Sequence, residues 1–276
     1  DPRSVRSDSN LIDLGVDSIM AAEFMTRLND AVGGALVPGQ LLEYPTLAEL
    51  AERLEHELRR TDAPRRGVLP PIVSLAHGTG GRRVFCFHPA GGDLFAYRPL
   101  AALLDGTTSM LGIQSRALTD PSLEYESIEQ MAADYADLVR ASQPAGPYHL
   151  LGWSMGALVA HAVAAAIEAG GERVAFVGMW DPPLDSPRFA KLREFLPTIL
   201  AIASASPDAA AWLEASASEA GIRELPGLDE TTARARLLTL YESAGSNSAG
   251  SHLRMLERRT ELIRRHFELV RTHHPP

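Results

Sequence analysis

The sequence predicts an α/β domain built on a parallel sheet, preceded by a small all-α unit. Three observations carry that expectation. From residue 84 to residue 180 short apolar runs alternate with helical patterns, as the strands and crossover helices of a parallel sheet do. Residues 10–58 show helical periodicity alone. Between the two, residues 59–71 read Arg-Arg-Thr-Asp-Ala-Pro-Arg-Arg-Gly-Val-Leu-Pro-Pro, which is polar, basic and punctuated by prolines as a linker is. The expected units are therefore 1–58, a linker over 59–71, and 72–276.

In the first unit, Ala21, Phe24, Met25 and Leu28 follow Asp17-Ser18 at the spacing of one helix face. A loop with Gly33-Gly34 and Pro38-Gly39 comes next. A second helix is expected from Thr46, with Glu49 completing a capping box in which hydroxyl and carboxylate each satisfy an amide at the helix start. Its apolar stripe is Leu47, Leu50, Ala51, Leu54 and Leu58. Two helices and a turn make a thin core, and the unit reads as clipped at its start.

In the second unit, strands are expected at Val84–Phe87, Met110–Ile113, Tyr148–Trp153 and Val174–Trp180. Helices are expected over 127–142, where Ile128, Met131, Ala132, Tyr135 and Val139 share a face, and over Ala157–Ala169. From about Ser186 to His274 the pattern is helical, broken by Pro197, Pro207, Pro226 and the Ser243–Ser251 stretch. A long helical insertion in an α/β domain reads as a lid, here about 186–255.

Composition narrows the partners. A net charge of −9 does not favour nucleic acid or an anionic membrane. A single cysteine, Cys86, excludes a disulfide within the chain and suits a reducing compartment. No charged-then-apolar leader opens the sequence, and no run approaches the roughly 18 apolar residues of a membrane-spanning helix. A soluble cytoplasmic protein is the expectation.

The strongest chemical signal is Gly152-Trp153-Ser154-Met155-Gly156. Serine is a poor nucleophile until a base takes its proton. A sharp strand-to-helix turn exposes it, and the flanking glycines permit the crowded backbone. Here a strand leads in and an apolar helix leads out; the competing reading is a glycine-rich turn with an incidental serine. Phe87-His88-Pro89-Ala90-Gly91-Gly92 follows an early strand, where such a loop donates one amide to an oxyanion and the residue after the serine donates the other. Those amides are Ala90 and Met155. His88 itself reads as a loop-packing residue. Asp181 ends the Val174–Trp180 strand, where an acid can orient a histidine, and is preferred over Asp185 and over a role as a turn cap before Pro182.

With these motifs, and with Tyr97-Arg98-Pro99-Leu100, residues 72–276 resemble the terminal thioesterase domains of polyketide and nonribosomal-peptide synthases, an α/β-hydrolase fold with a helical lid. Residues 10–58 resemble the C-terminal part of an acyl or peptidyl carrier protein, through Leu14-Gly15-Val16-Asp17-Ser18-Ile19 and Glu43-Tyr44-Pro45-Thr46-Leu47, with the usual first helix absent. The resemblance implies that Ser18 carries a covalent 4'-phosphopantetheine arm, although a serine at a helix start also reads as an N-cap. It implies an acyl or peptidyl thioester substrate, a phosphopantetheinyl transferase, upstream synthase domains, and no metal. The implied reaction moves the acyl chain to Ser154 and releases it as an acid or a macrocycle; the sequence does not choose between these, nor between polyketide and peptide. The rival readings are a catalytically degenerate interaction module and a stand-alone esterase.

The catalytic base is expected beyond Pro276. Triad order in this fold is serine, acid, histidine, the histidine riding a loop after a late strand. His252 and His266 fall on the helical stretch from about Ser251 to Arg271 and read as exposed, and no strand separates the lid from His273 and His274.

Overall fold

The computed structural model describes residues 5–14, 16, 18–32, 39–59, 72–118, 123–183, 232, 235 and 249–273. The first unit contains α1 (Ser18–Val32), a short α2 (Gln40–Glu43) and α3 (Leu47–Arg59). Ala21 and Met25 of α1 meet Leu41, Leu50 and Leu54, and the turn ahead of α1 adds Leu11 and Ile12 to this core. The predicted capping box forms. The Thr46 amide donates to Glu49 Oε2 at 3.1 Å, and the Glu49 amide donates to Thr46 Oγ1 at 3.2 Å. The expected linker lies outside the described residues from residue 60 onward.

The second unit is a five-stranded sheet in the order β1-β3-β2-β4-β5. Its strands are β1 (Ile72–Ala76), β2 (Arg83–Phe87), β3 (Ser109–Ile113), β4 (Tyr148–Trp153) and β5 (Val174–Trp180). β2, β3, β4 and β5 are parallel, joined by α4 (Arg98–Leu104), α5 (Ile128–Ser142) and α6 (Met155–Ala169). β1 corrects the purely parallel expectation: it pairs antiparallel with β3. This five-residue strand escaped the sequence reading because it directly follows Pro70-Pro71 and lacks a clean alternation.

Successive residues of a strand face opposite sides, and β2 shows this directly. Phe85 and Phe87 enter the core formed with α5 and α6, which also holds Ile113, Tyr135, Leu150 and Val163. Cys86 faces the other way, toward Tyr97 and Ala101 of the α4 region. Each fully buried large apolar side chain contributes about 1.5–3 kcal/mol, so both faces anchor the sheet. β5 is the edge strand among the described residues, and it leaves Phe176, Met179 and Trp180 exposed.

Helix α7 (Ala249–Thr272) returns to the main core through Ile263 and Leu269. Of the lid expected over 186–255, residues 249–255 form the start of this helix and residues 232 and 235 are helical; the rest lies outside the described residues. The two units touch. Phe95 packs on the core of the first unit, and Arg98 reaches Asp13 at 3.3 Å. No helix among the described residues is long and apolar enough to cross a membrane.

Candidate active site

Strand register assembles the site at the C-terminal edge of the sheet, where open α/β sheets bind ligands. Phe87 pairs with Gly152, so the loop after β2 lies beside the turn after β4. Trp153 pairs with Trp180, so Ser154 and Asp181 follow side by side on neighbouring strands. The Ser154 amide donates to the Trp180 carbonyl at 2.9 Å and ties the two strand ends together.

Ser154 has φ 55° and ψ −126°, a strained conformation for a residue with a side chain. The surrounding glycines permit it. A Cβ on Gly152 would stand 1.8 Å from the Gly156 carbonyl oxygen, and one on Gly156 would stand 2.3 Å from the Phe87 carbonyl oxygen. The turn is thus closed on itself and pressed against the end of β2. Ser154 is half-buried, and no described residue hydrogen-bonds its hydroxyl. Met155, the first residue of α6, is fully buried. Asp181 is exposed, with φ 46°.

Two buried groups that the motif reading did not assign hold this edge together. The Tyr97 hydroxyl donates to the Phe87 carbonyl at 2.7 Å and accepts from the Trp153 amide at 2.8 Å, bridging the loop and the serine turn. Burial pushes its pKa up, so it stays a neutral donor.

The second group is His266. It is only 3% exposed, which corrects the expectation of an exposed helical histidine. It lies four residues after Leu262 and three before Leu269, on the apolar side of α7; that spacing was the available signal. Its Nδ1 is 2.7 Å from the Ala90 carbonyl, and its Nε2 is 3.5 Å from Ser115 Oγ. Its ring stacks on His88 with centroids 5.1 Å apart. His88 is fully buried, with Nδ1 at 2.8 Å from the Pro89 carbonyl and Nε2 at 2.8 Å from the Tyr135 hydroxyl.

A carbonyl can only accept, so both rings carry their proton on Nδ1. Burial holds His88 at about 4. Burial, with the adjacent His88 ring, holds His266 at about 3. Both imidazoles are therefore neutral near pH 7 and committed to the loop. His273 is committed elsewhere, with Nδ1 2.6 Å from Glu129 Oε1. The side chain of His252, Asp185 and His274 lie outside the described residues.

Ser18 is the first residue of α1, and the first turn of that helix holds no carboxylate. Free amides and the positive end of the helix dipole favour a phosphodiester at such a place.

Comparison with known proteins agrees with this geometry. Residues 1–54 match the phosphopantetheine attachment site family and residues 82–198 match the thioesterase domain family. The chain is thus a didomain that joins a phosphopantetheine attachment site to a thioesterase domain. The didomain is 36% identical over 174 residues to the "Dimodular nonribosomal peptide synthase" of Bacillus subtilis (strain 168), a match covering 63% of this chain and 7% of that protein. It is 34% identical over 179 residues to "Enterobactin synthase component F" of Escherichia coli (strain K12), covering 64% of this chain and 14% of that protein. The didomain thus spans a small fraction of the relatives it matches. Among solved structures, a holo four-domain nonribosomal peptide synthetase bound to AMP and glycine aligns with a TM-score of 0.59 at 22% identity, covering 98% of this chain and 20% of that one. That likeness is one of fold. The first unit of the didomain is a phosphopantetheine attachment site, and the group, when bound, supplies a terminal thiol for an acyl chain.

Proposed function

We propose that the didomain, with its carrier over 1–58 and its thioesterase over 72–276, releases an acyl or peptidyl chain through an acyl-enzyme on Ser154. Ser18 is the residue that carries the arm, loaded by a phosphopantetheinyl transferase, and upstream synthase domains furnish the chain. The Ser154 hydroxyl attacks the thioester carbonyl and passes its proton to a histidine outside the described residues, which Asp181 orients. The amides of Ala90 and Met155 donate to the oxyanion of the tetrahedral adduct. Collapse of the adduct expels the thiol, which takes up the proton, and leaves an ester on Ser154. Water then gives the acid; a hydroxyl or amine of the chain itself gives a macrocycle.

The observation that carries this reading is the strained Ser154 turn, set by strand register between the His88–Gly92 loop and Asp181. The histidines favour a base from elsewhere: His88, His266 and His273 each spend Nδ1 on another group. The experiment is intact-mass spectrometry after coenzyme A with a transferase and then a fluorophosphonate, with turnover measured in parallel. Ser18→Ala should lose the pantetheine adduct, and Ser154→Ala the phosphonate adduct. Ser154→Ala should also lose on the order of 10³-fold or more in acyl-thioester turnover, because triad members act as a unit. Turnover within about tenfold of the parent removes the Ser154 assignment, whereas a parent without turnover favours a degenerate binding module.

A further inference from the structure

The peptide unit joining Pro89 and Ala90 carries a carbonyl at one end and, at the other, the amide assigned above to the oxyanion. A peptide bond is planar and trans, so its C=O and N–H point in opposite directions. Holding the Pro89 oxygen from behind therefore aims the Ala90 N–H forward. Two donors hold that oxygen, His88 Nδ1 at 2.8 Å and the Gly92 amide at 2.9 Å. The next carbonyl along, that of Ala90, is held at 2.7 Å by Nδ1 of His266, whose residue is 176 positions away in the chain.

With the peptide planes on both sides of Ala90 tied down, neither its φ nor its ψ can turn freely. The tie is long-range and rigid. His266 stacks on the His88 ring, and the helix that carries it, α7, is anchored by Ile263 and Leu269 in the main core. The loop packs just as tightly around it: a Cβ on Gly92 would stand 3.0 Å from Leu262 Cδ2 and 3.1 Å from Ser115 Cβ.

We propose that His266 is a positioning residue for acyl transfer: its Nδ1–H holds the Ala90 carbonyl, and with His88 behind the preceding carbonyl it keeps the Ala90 amide aimed at the developing oxyanion. The proposal rests on the reading that Ser154 is the nucleophile and that the Ala90 amide lines the oxyanion site. His266 does not act as the base. Its Nδ1–H is spent on Ala90, its Nε2 faces Ser115, and burial has made the ring a poor proton acceptor. A preorganised donor matters because it costs no reorganisation as charge develops, and loss of one such donor lowers kcat by about 10²–10³-fold. Loosening a donor that remains present should cost less.

The test is steady-state cleavage of octanoyl-N-acetylcysteamine thioester by the full-length protein. His266→Phe keeps a ring stacked on His88 but has no N–H for Ala90. It should lower kcat about tenfold to a hundredfold with KM within about twofold of the parent. His266→Asn restores an amide N–H near the position of Nδ1 and should recover kcat to within about threefold of the parent. A structural role alone would lower stability in both variants without this split. Ser154→Ala run alongside separates the two readings. If it stays active, the nucleophile assignment fails. If it is inactive while His266→Phe keeps kcat within about twofold, or if His266→Phe changes KM instead, the positioning role is overturned. Should His266→Phe fail to fold, the ring nitrogens of the unsubstituted protein decide by ¹⁵N NMR. A proton on Nδ1 with bare Nε2 upholds the proposal; a proton on Nε2 with bare Nδ1 removes the bond to Ala90 and overturns it.

Discussion

The serine turn and the His88–Gly92 loop stand side by side at the same sheet edge, but they are built in opposite ways. The turn is made locally. Within five residues, Gly152 and Gly156 supply the missing Cβ atoms that let Ser154 adopt φ 55°, and β4 and α6 hold the ends. The loop is made remotely. Its carbonyls are tied by His88, by Tyr97 from ten residues on, and by His266 from α7. Strain needs particular residue types at particular places, so it leaves a motif. Aim needs only a donor at the right distance, which any element of the fold can bring.

The two regions meet at Gly156. Gly156→Ala would drive a Cβ to 2.3 Å from the Phe87 carbonyl oxygen and 2.9 Å from that of His88, so the turn and the loop would both be displaced. A backbone neighbour cannot swing aside, and the expected loss is about 3 kcal/mol, read as a fall in the urea midpoint at unchanged slope. An alanine variant as stable as the parent would show that the two regions are not pressed together.

A smaller effect is expected at the bridge between them. Tyr97→Phe removes one hydroxyl and leaves the Phe87 carbonyl and the Trp153 amide without that partner. Buried groups left unpaired in this way cost about 2 kcal/mol in all. A change too small to resolve in thermal unfolding would mean that water replaces the hydroxyl and that the bridge is not what joins loop to turn.

The imidazole pair sharpens the contrast through pH. Both histidines sit below the ordinary 6.5, at about 4 for His88 and about 3 for His266, because burial penalises their charged forms. Below 6.5 the unfolded chain binds protons that the folded chain refuses. The stability they confer is therefore fully present above 6.5 and is lost as pH falls from 6.5 toward about 4 for His88 and about 3 for His266. Each ring contributes a slope of at most about 1.4 kcal/mol per pH unit in that window. Urea unfolding should show this acid loss, and His266→Phe should remove about half of the slope due to the pair. An identical slope in parent and variant would mean that the His266 ring is not held neutral in the fold.

The sequence carried the architecture wherever a pattern repeats within a short window. Four strands, the α5 and α6 helices and the Thr46–Glu49 capping box could all be read because their periods and caps are local. β1 could not, since five residues after two prolines offer too little pattern, and its antiparallel pairing is decided by β3. α4 follows a short 3-10 turn at Phe95–Tyr97 and is seven residues long, again below what periodicity resolves.

The same division runs through the site. Ser154, Ala90, Met155 and Asp181 were marked by motif and by position at strand ends, and strand register brings their segments together. The sequence by itself determined that a strained serine turn must exist, because only Gly152 and Gly156 allow that backbone. Tertiary structure alone decided that His266, on the apolar side of its helix, meets Ala90, 176 residues away, and stacks on His88. The physical reason is range. Backbone sterics act between neighbours in the chain, whereas burial and hydrogen bonding are settled by whichever residues the completed core brings within about 3 Å.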